Sequence, residues 1–151
     1  MRSIAFIPLT LIAAAGLTTA QTHPNLEGTW KMDKARSQYP AESATEVIHQ
    51  HGEVFDISFT EKAPGRPDKP MQIHLTADGK PTINMVAGNT FTSTTHWEHT
   101  KLATFIEGDR GQHMTEMREL SSNGKQLTVT GYHQGELTKP YYVRVMVRSE
   151  P

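Results

Sequence analysis

The segment TEVIHQHGEVFDISFT, residues 45–60, decides the fold class of this chain. In its second half apolar and polar residues alternate, and the apolar ones are Phe55, Ile57 and Phe59. Successive side chains of a strand point to opposite faces, so this alternation predicts a half-buried strand. Gly52 interrupts the segment at a turn position, because glycine adopts positive φ without steric cost. The segment therefore predicts a β-hairpin.

Short runs of the same kind recur along the chain, and turn residues close each of them. They predict ten strands: Gly28 to Met32, Thr45 to His51, Glu53 to Thr60, Met71 to Leu75, Pro81 to Val86, Thr90 to Trp97, Leu102 to Glu107, His113 to Leu120, Gln126 to His133 and Tyr141 to Arg148. Asp78-Gly79 predicts a two-residue hairpin turn. Residues 33–36 have room for one helical turn, and the prolines of residues 62–70 predict a loop.

Consecutive antiparallel strands joined by short turns form a meander, and the chain predicts no helix that could carry a parallel crossover. An open meander of this length leaves two unpaired edges, which closure into a barrel removes. We therefore predict an all-β fold, an antiparallel up-and-down β-barrel of about ten strands. A sandwich of two sheets is the alternative.

Residues 1–20 have the pattern of a cleavable signal peptide. Arg2 makes the start basic, an apolar stretch runs from Ile4 to Leu17, and Thr18 and Ala20 provide small residues for cleavage. The apolar stretch is shorter than the roughly 20 residues of a helical membrane span. We predict Sec-type export with cleavage after Ala20. The mature domain, residues 21–151, is then periplasmic or secreted and has no membrane span.

The composition narrows the function classes. With 15 Lys and Arg against 16 Asp and Glu, the chain has a net charge of -1, so no nucleic-acid partner is predicted. There is no Cys and no Gly-x-Ser-x-Gly motif, and we predict a protein that is not an enzyme and needs no cofactor. Glu116 and Arg118 share one face of their strand, which favours an ion pair over a catalytic carboxyl group.

The ends of the mature domain resemble those of the lipocalins and related calycins. Gly28-Thr29-Trp30 is similar to the Gly-x-Trp of a first lipocalin strand, and Arg144 and Arg148 lie on the last predicted strand. In that superfamily a basic residue of the last strand often covers the tryptophan ring. The resemblance, shared with small secreted bacterial lipocalin-like proteins, implies a lipocalin-like barrel with structural roles for Gly28, Trp30 and Arg148.

A barrel of this size can enclose a cavity for a small hydrophobic or amphipathic molecule. The apolar side chains expected to line it are Phe55, Ile57, Phe59, Met71, Ile73, Leu75, Ile83, Met85 and Phe91. Tyr142 and Arg144 share a face of the last strand, and we expect them to orient a polar head group. The resemblance supports this role, because fatty-acid-binding proteins hold a carboxylate with an arginine and a tyrosine two positions apart, in the opposite order.

Two other functions remain open. The first is a metal site, in which His49 and His51 point to one face of a strand and His96 and His99 supply further imidazole ligands, as zinc would require. The second is a structural or interaction domain without a small ligand. These functions differ in whether the barrel encloses a cavity and in which residues line it.

Overall fold

The computed structural model describes residues 23–65 and 70–149, so the predicted signal peptide lies outside the described residues. Ten strands follow one another along the chain: β1 (Gly28–Met32), β2 (Ser43–His51), β3 (Val54–Lys62), β4 (Met71–Thr76), β5 (Asp78–Val86), β6 (Asn89–Glu98), β7 (Lys101–Gly108), β8 (His113–Leu120), β9 (Gln126–His133) and β10 (Tyr142–Arg148). A short 3-10 helix, η1 (Lys34–Arg36), follows β1 and is capped by the Asp33 side chain.

The strands form a single antiparallel sheet in the order β4-β3-β2-β1-β10-β9-β8-β7-β6-β5. The first and last strands lie side by side, with Trp30 opposite Arg148 and Met32 opposite Met146. Every other ladder joins neighbours in the sequence, as expected for a meander. The predicted all-β barrel of ten strands is therefore confirmed.

The sheet closes between β4 and β5 through a side chain rather than a ladder. No backbone ladder joins these two strands in the described part of the chain. Instead, the His74 amide donates to Asn84 Oδ1 at 2.7 Å, and Asn84 Nδ2 donates to the His74 carbonyl at 3.0 Å. The buried carboxamide of Asn84 thus forms the pair of bonds that a facing peptide group would form.

The predicted Asp78-Gly79 turn is wrong, because both residues belong to the start of β5. The register between β5 and β6 shifts between Asp78 and Pro81, and Gly79 has a φ of 74° within this irregularity. Gly79 therefore belongs to a β-bulge and not to a two-residue turn.

The barrel interior has three layers along the strands. An apolar plug fills one end and consists of Leu26, Trp30, Ile48, Phe55, Ile57, Leu75, Leu102, Leu127, Val129 and Met146. A charged cluster of Glu46, Glu116, Arg118 and Arg144 is buried next to it. Beyond the cluster the interior is hollow. The described residues include no helix of the length and apolarity that crossing a membrane takes.

Strand β8 shows how the sequence builds these layers. Its inward residues are Met114, Glu116, Arg118 and Leu120, which pass from the hollow through the charged cluster to the plug. Strand β7 runs alongside, with Ile106 at the hollow and Leu102 in the plug. Because every second residue points inward, one strand contributes to each layer in turn.

Candidate ligand-binding site

The hollow end of the barrel contains three adjoining cavities. One of about 180 Å³ is lined by Ile73, Asn84, Val86, Phe91, Ser93, Ile106 and Met114. A second, of about 170 Å³, reaches the charged cluster, and a third, of about 460 Å³, extends to the β7–β8 turn and Tyr141. Ile106 and Met114 line all three. The lining is mainly apolar with a few polar groups at one end, as is typical of small-molecule sites.

The charged cluster pairs two arginines with two carboxylates. Arg144 Nη2 lies 2.9 Å from Glu116 Oε2 and 3.1 Å from Glu46 Oε1. Arg118 Nη1 contacts Glu116 Oε1, and its Nη2 lies 3.5 Å from Glu46 Oε1. All four side chains are at least nine-tenths buried. The ion pair expected between Glu116 and Arg118 is therefore present, as part of a larger network.

Aromatic rings surround the Arg144 guanidinium. Its Cζ lies 4.6 Å from the centre of the Phe59 ring, 5.2 Å from that of Tyr39 and 5.4 Å from that of Tyr142. The Tyr142 hydroxyl donates to Glu116 Oε2, and the Tyr39 hydroxyl donates to Glu61 Oε2 at 2.6 Å. Ring faces attract a desolvated cation, so they offset part of the cost of burying Arg144.

These surroundings determine the protonation of the cluster. Burial alone would raise the pKa of Glu116, but Arg118 and Arg144 outweigh it and hold that pKa below its usual value. Burial would lower the pKa of Arg144, but Glu46 and Glu116 raise it. Burial and the neighbouring Glu116 raise the pKa of Tyr142 well above its usual value. Glu116 is therefore ionised and Tyr142 neutral at pH 7.

Gly131 is a residue that our sequence reasoning missed. Gly131 of β9 is paired with Glu116 of β8 on one side and with Tyr142 of β10 on the other. A Cβ at this position would collide with the Tyr142 ring, so only glycine lets that ring reach across β9 to Glu116. The available signal is a lone glycine within a strand pattern, which indicates close approach of another group.

Glu46 was missed as well. It is inward on β2, between Ala44 and Ile48, which are also buried. The alternation of the strand could have identified it, because residues two apart point to the same face and Ile48 is in the core. The candidate site residues predicted on this strand were His49 and His51, which belong to the opposite face.

Most of the residues expected to line the interior do point inward, but they divide between two layers. Tyr142, Arg144, Phe59, Met71 and Ile73 line the cavity at the charged cluster. Phe91 lines the other two cavities. Phe55, Ile57 and Leu75 instead belong to the apolar plug, so they support the hollow without lining it.

The predicted inward orientation of Met85 and Ile83 is wrong. These side chains are 74% and 76% exposed, whereas Asn84 between them is buried. The parity is reversed because the Asn84 carboxamide joins β5 to His74 across the gap in the ladder. Its hydrogen bonds place a polar residue inside and two apolar residues outside, against the ordinary hydrophobic preference.

The histidines of the alternative metal site do not form a cluster. His49 pairs with Glu27 at 3.2 Å and His96 with Glu98 at 3.2 Å, both on exposed surface. His51 and His99 are also exposed. Across residues 23–65 and 70–149, no three histidine or acidic side chains are grouped to hold a metal ion. The alternative in which His49, His51, His96 and His99 gather around one metal ion is therefore wrong for the described residues.

The structure places Arg148 over the indole of Trp30, with Cζ 4.2 Å from the ring centre. Arg148 also donates from Nη1 to the Glu27 carbonyl at 2.5 Å and from Nε to the Gly124 carbonyl at 3.0 Å. Gly28 has a φ of 133°, and a Cβ there would lie 2.5 Å from Arg148 Nη1. The guanidinium thus connects the first and last strands above the apolar plug.

Comparison with solved structures identifies the architecture. A secretory abundant heat soluble protein from Ramazzottius varieornatus superimposes with a TM-score of 0.66 at 10% identity, covering 85% of this chain and 98% of that one. The fatty-acid-binding protein 1 of Echinococcus granulosus gives a TM-score of 0.62 at 13% identity, covering 83% of this chain and 98% of that one. The fluorescent protein UnaG gives 0.63 at 20% identity, covering 82% and 97%.

The fold is that of the calycin barrels. This agrees with the resemblance carried by Gly28, Trp30 and the last strand. No family model matches the chain, and no curated protein matches it either. At these identities the likeness defines the barrel alone, so function has to be argued from the interior of this chain.

Proposed function

We propose that this protein binds a small apolar or amphipathic molecule inside the barrel and does not catalyse a reaction on it. The observation that carries the proposal is the hollow end, where Ile73, Phe91, Ile106 and Met114 surround space beside a buried polar cluster. An apolar chain that enters this space leaves water, which contributes about 0.8 kcal/mol for each buried methylene group. A fatty-acid-binding protein among the structures with this fold gives independent support.

The charged cluster and the apolar plug give the hollow a defined floor. The plug closes the opposite end, so a ligand can occupy only the end lined by Met71, Phe91 and Tyr141. A chain would therefore lie along Phe91, Ile106 and Met114, with its polar group at the cluster.

Ligand binding is tested by thermal unfolding with a panel of fatty alcohols, amides and acids, retinoids and sterols. A ligand that binds only the native state raises Tm, and the rise grows with the logarithm of the ligand concentration relative to Kd. We expect at least one single-chain amphiphile to raise Tm and to displace Nile red from the barrel. If no member of the panel changes Tm, the proposal is wrong.

A filled cavity provides the matched test. Met114→Trp adds bulk where all three cavities meet, so we expect ligand binding to fall by about tenfold or more. Met117→Trp, on the outward face of the same strand, is the control and is expected to leave binding unchanged. Equal effects of the two substitutions would place the ligand outside the hollow.

We also propose that the domain works after export, with residues 1–20 removed. The sequence pattern supports this location, and mass spectrometry of the protein from its own cell envelope or medium tests it. The expected N-terminus is Gln21. Protein found only in the cytoplasm, with residues 1–20 still attached, would contradict the proposal.

A further inference from the structure

The charged cluster is balanced within itself. Arg118 and Arg144 face Glu46 and Glu116, so the four formal charges sum to zero. Both Nη atoms of Arg118 already meet a carboxylate oxygen, and Arg144 Nη2 is shared by both carboxylates. The Tyr142 hydroxyl is committed to Glu116. An entering carboxylate would therefore meet no uncompensated positive charge, and it would approach two carboxylates of its own sign.

Three buried polar atoms of the same cluster have no hydrogen-bond partner among the residues that the structure describes: Arg118 Nε, Arg144 Nε and Glu46 Oε2. Their residues are 3%, 4% and 1% exposed and line the cavity next to the hollow. Two of these atoms are donors and one is an acceptor. Unsatisfied buried groups are costly, so a ligand that both accepts and donates would gain from pairing with them.

Resting on the proposed function, we infer that the hollow selects an amphipathic molecule with an uncharged polar head, such as a primary amide or an alcohol, over the carboxylate of the same chain length. The head accepts from an arginine Nε and donates to Glu46. Glu116 already occupies the position on Arg144 and Tyr142 that a ligand carboxylate would need. The low pKa of Glu116 keeps this internal carboxylate ionised.

Competition among three matched probes tests this inference: dodecanamide, dodecanol and dodecanoate, each displacing the uncharged dye Nile red at about pH 8, where the acid is ionised. In the wild-type protein we expect the amide and the alcohol to displace the dye at concentrations about tenfold or more below that of dodecanoate.

One variant changes the charge of the cluster with little change in its shape and leaves the proposed acceptor Glu46 in place. Glu116→Gln leaves two arginines against one carboxylate, so dodecanoate should gain about tenfold in affinity while dodecanamide changes little. Glu119→Gln is the matched control, because it removes one negative charge from the exposed face of the same strand as Glu116. It should leave the order of the three probes unchanged.

The outcomes separate the two proposals. If dodecanoate binds the wild-type protein as tightly as the amide, the head-group inference is wrong while the ligand-binding function stands. If the three probes fail to bind the wild-type protein while another member of the panel binds it, the head-group inference alone is wrong. If no member of the panel, these probes included, displaces the dye or raises Tm, the ligand-binding function fails, and the inference fails with it. The wild-type comparison decides the matter even if a glutamine variant does not fold.

Discussion

At the scale of single residues, the feature with the largest desolvation cost is the burial of Arg118 and Arg144 with their carboxylates. An ion pair taken out of water loses hydration, and the loss is recovered only when each charge keeps its partners. Arg144 has two carboxylates and three aromatic rings around it. The cluster is thus a unit in which the removal of one member leaves the others buried without compensation.

We expect Arg144→Met to lower the free energy of unfolding by about 3–5 kcal/mol, because Glu46 and Glu116 then share Arg118 alone. Urea denaturation measures the change. Arg36→Met, which removes an exposed ion pair with Asp33, is the control and should cost much less. The double variant Arg144→Met with Glu116→Gln should be more stable than Arg144→Met. Independent, additive effects of the two substitutions would contradict the network.

The pKa of Glu116 gives a dependence on pH with a defined sign. Because that pKa is lower in the folded protein than its usual value of 4.5, the unfolded chain binds the proton more tightly. The stability that Glu116 contributes is therefore present above about pH 4.5 and is lost as pH falls through the folded-state pKa. We expect urea denaturation between about pH 6 and pH 3 to show a shallower acid loss for Glu116→Gln than for Glu119→Gln. Identical slopes would contradict this assignment.

At the scale of elements, the ten strands and their order follow from alternation and turn residues. Phe55, Ile57 and Phe59 all point inward, as the pattern of β3 predicts. The same rule predicted the wrong face for β5, where the apolar side chains of Ile83 and Met85 are exposed. The reason is a contact distant in the sheet, the bond between Asn84 and His74, and such a contact leaves no mark in the local pattern.

Removing the Asn84 carboxamide should open the junction between β4 and β5. We expect Asn84→Ala to cost about 1–3 kcal/mol, since the amide and carbonyl of His74 lose their partners. Hydrogen exchange provides the specific measurement: the His74 amide should exchange faster relative to core amides such as that of Val129. Asn89→Ala, an asparagine of the neighbouring strand, is the control. An unchanged His74 exchange rate would mean that the junction is held by other contacts.

At the scale of the whole molecule, the division of the interior into plug, charged cluster and hollow could not be predicted from the sequence. Closure by β1 and β10 was predictable, since first and last strands of a closed meander are neighbours. The pairing of Tyr142 with Glu116 was not, because it depends on Gly131 between them and on a shear that only the assembled barrel defines. A list of inward residues likewise cannot show which of them fill space and which border it.

The central claim is that a ligand enters the hollow rather than the plug or the outer surface. Titration of dodecanol into the 15N-labelled protein, followed by amide chemical shifts, tests it most directly. The account predicts the largest shifts at Met114, Ile106, Gly131 and Arg144, with small ones at Leu127 and Leu102 in the plug. Saturating dodecanol that shifts only outward residues, or shifts none, would contradict it.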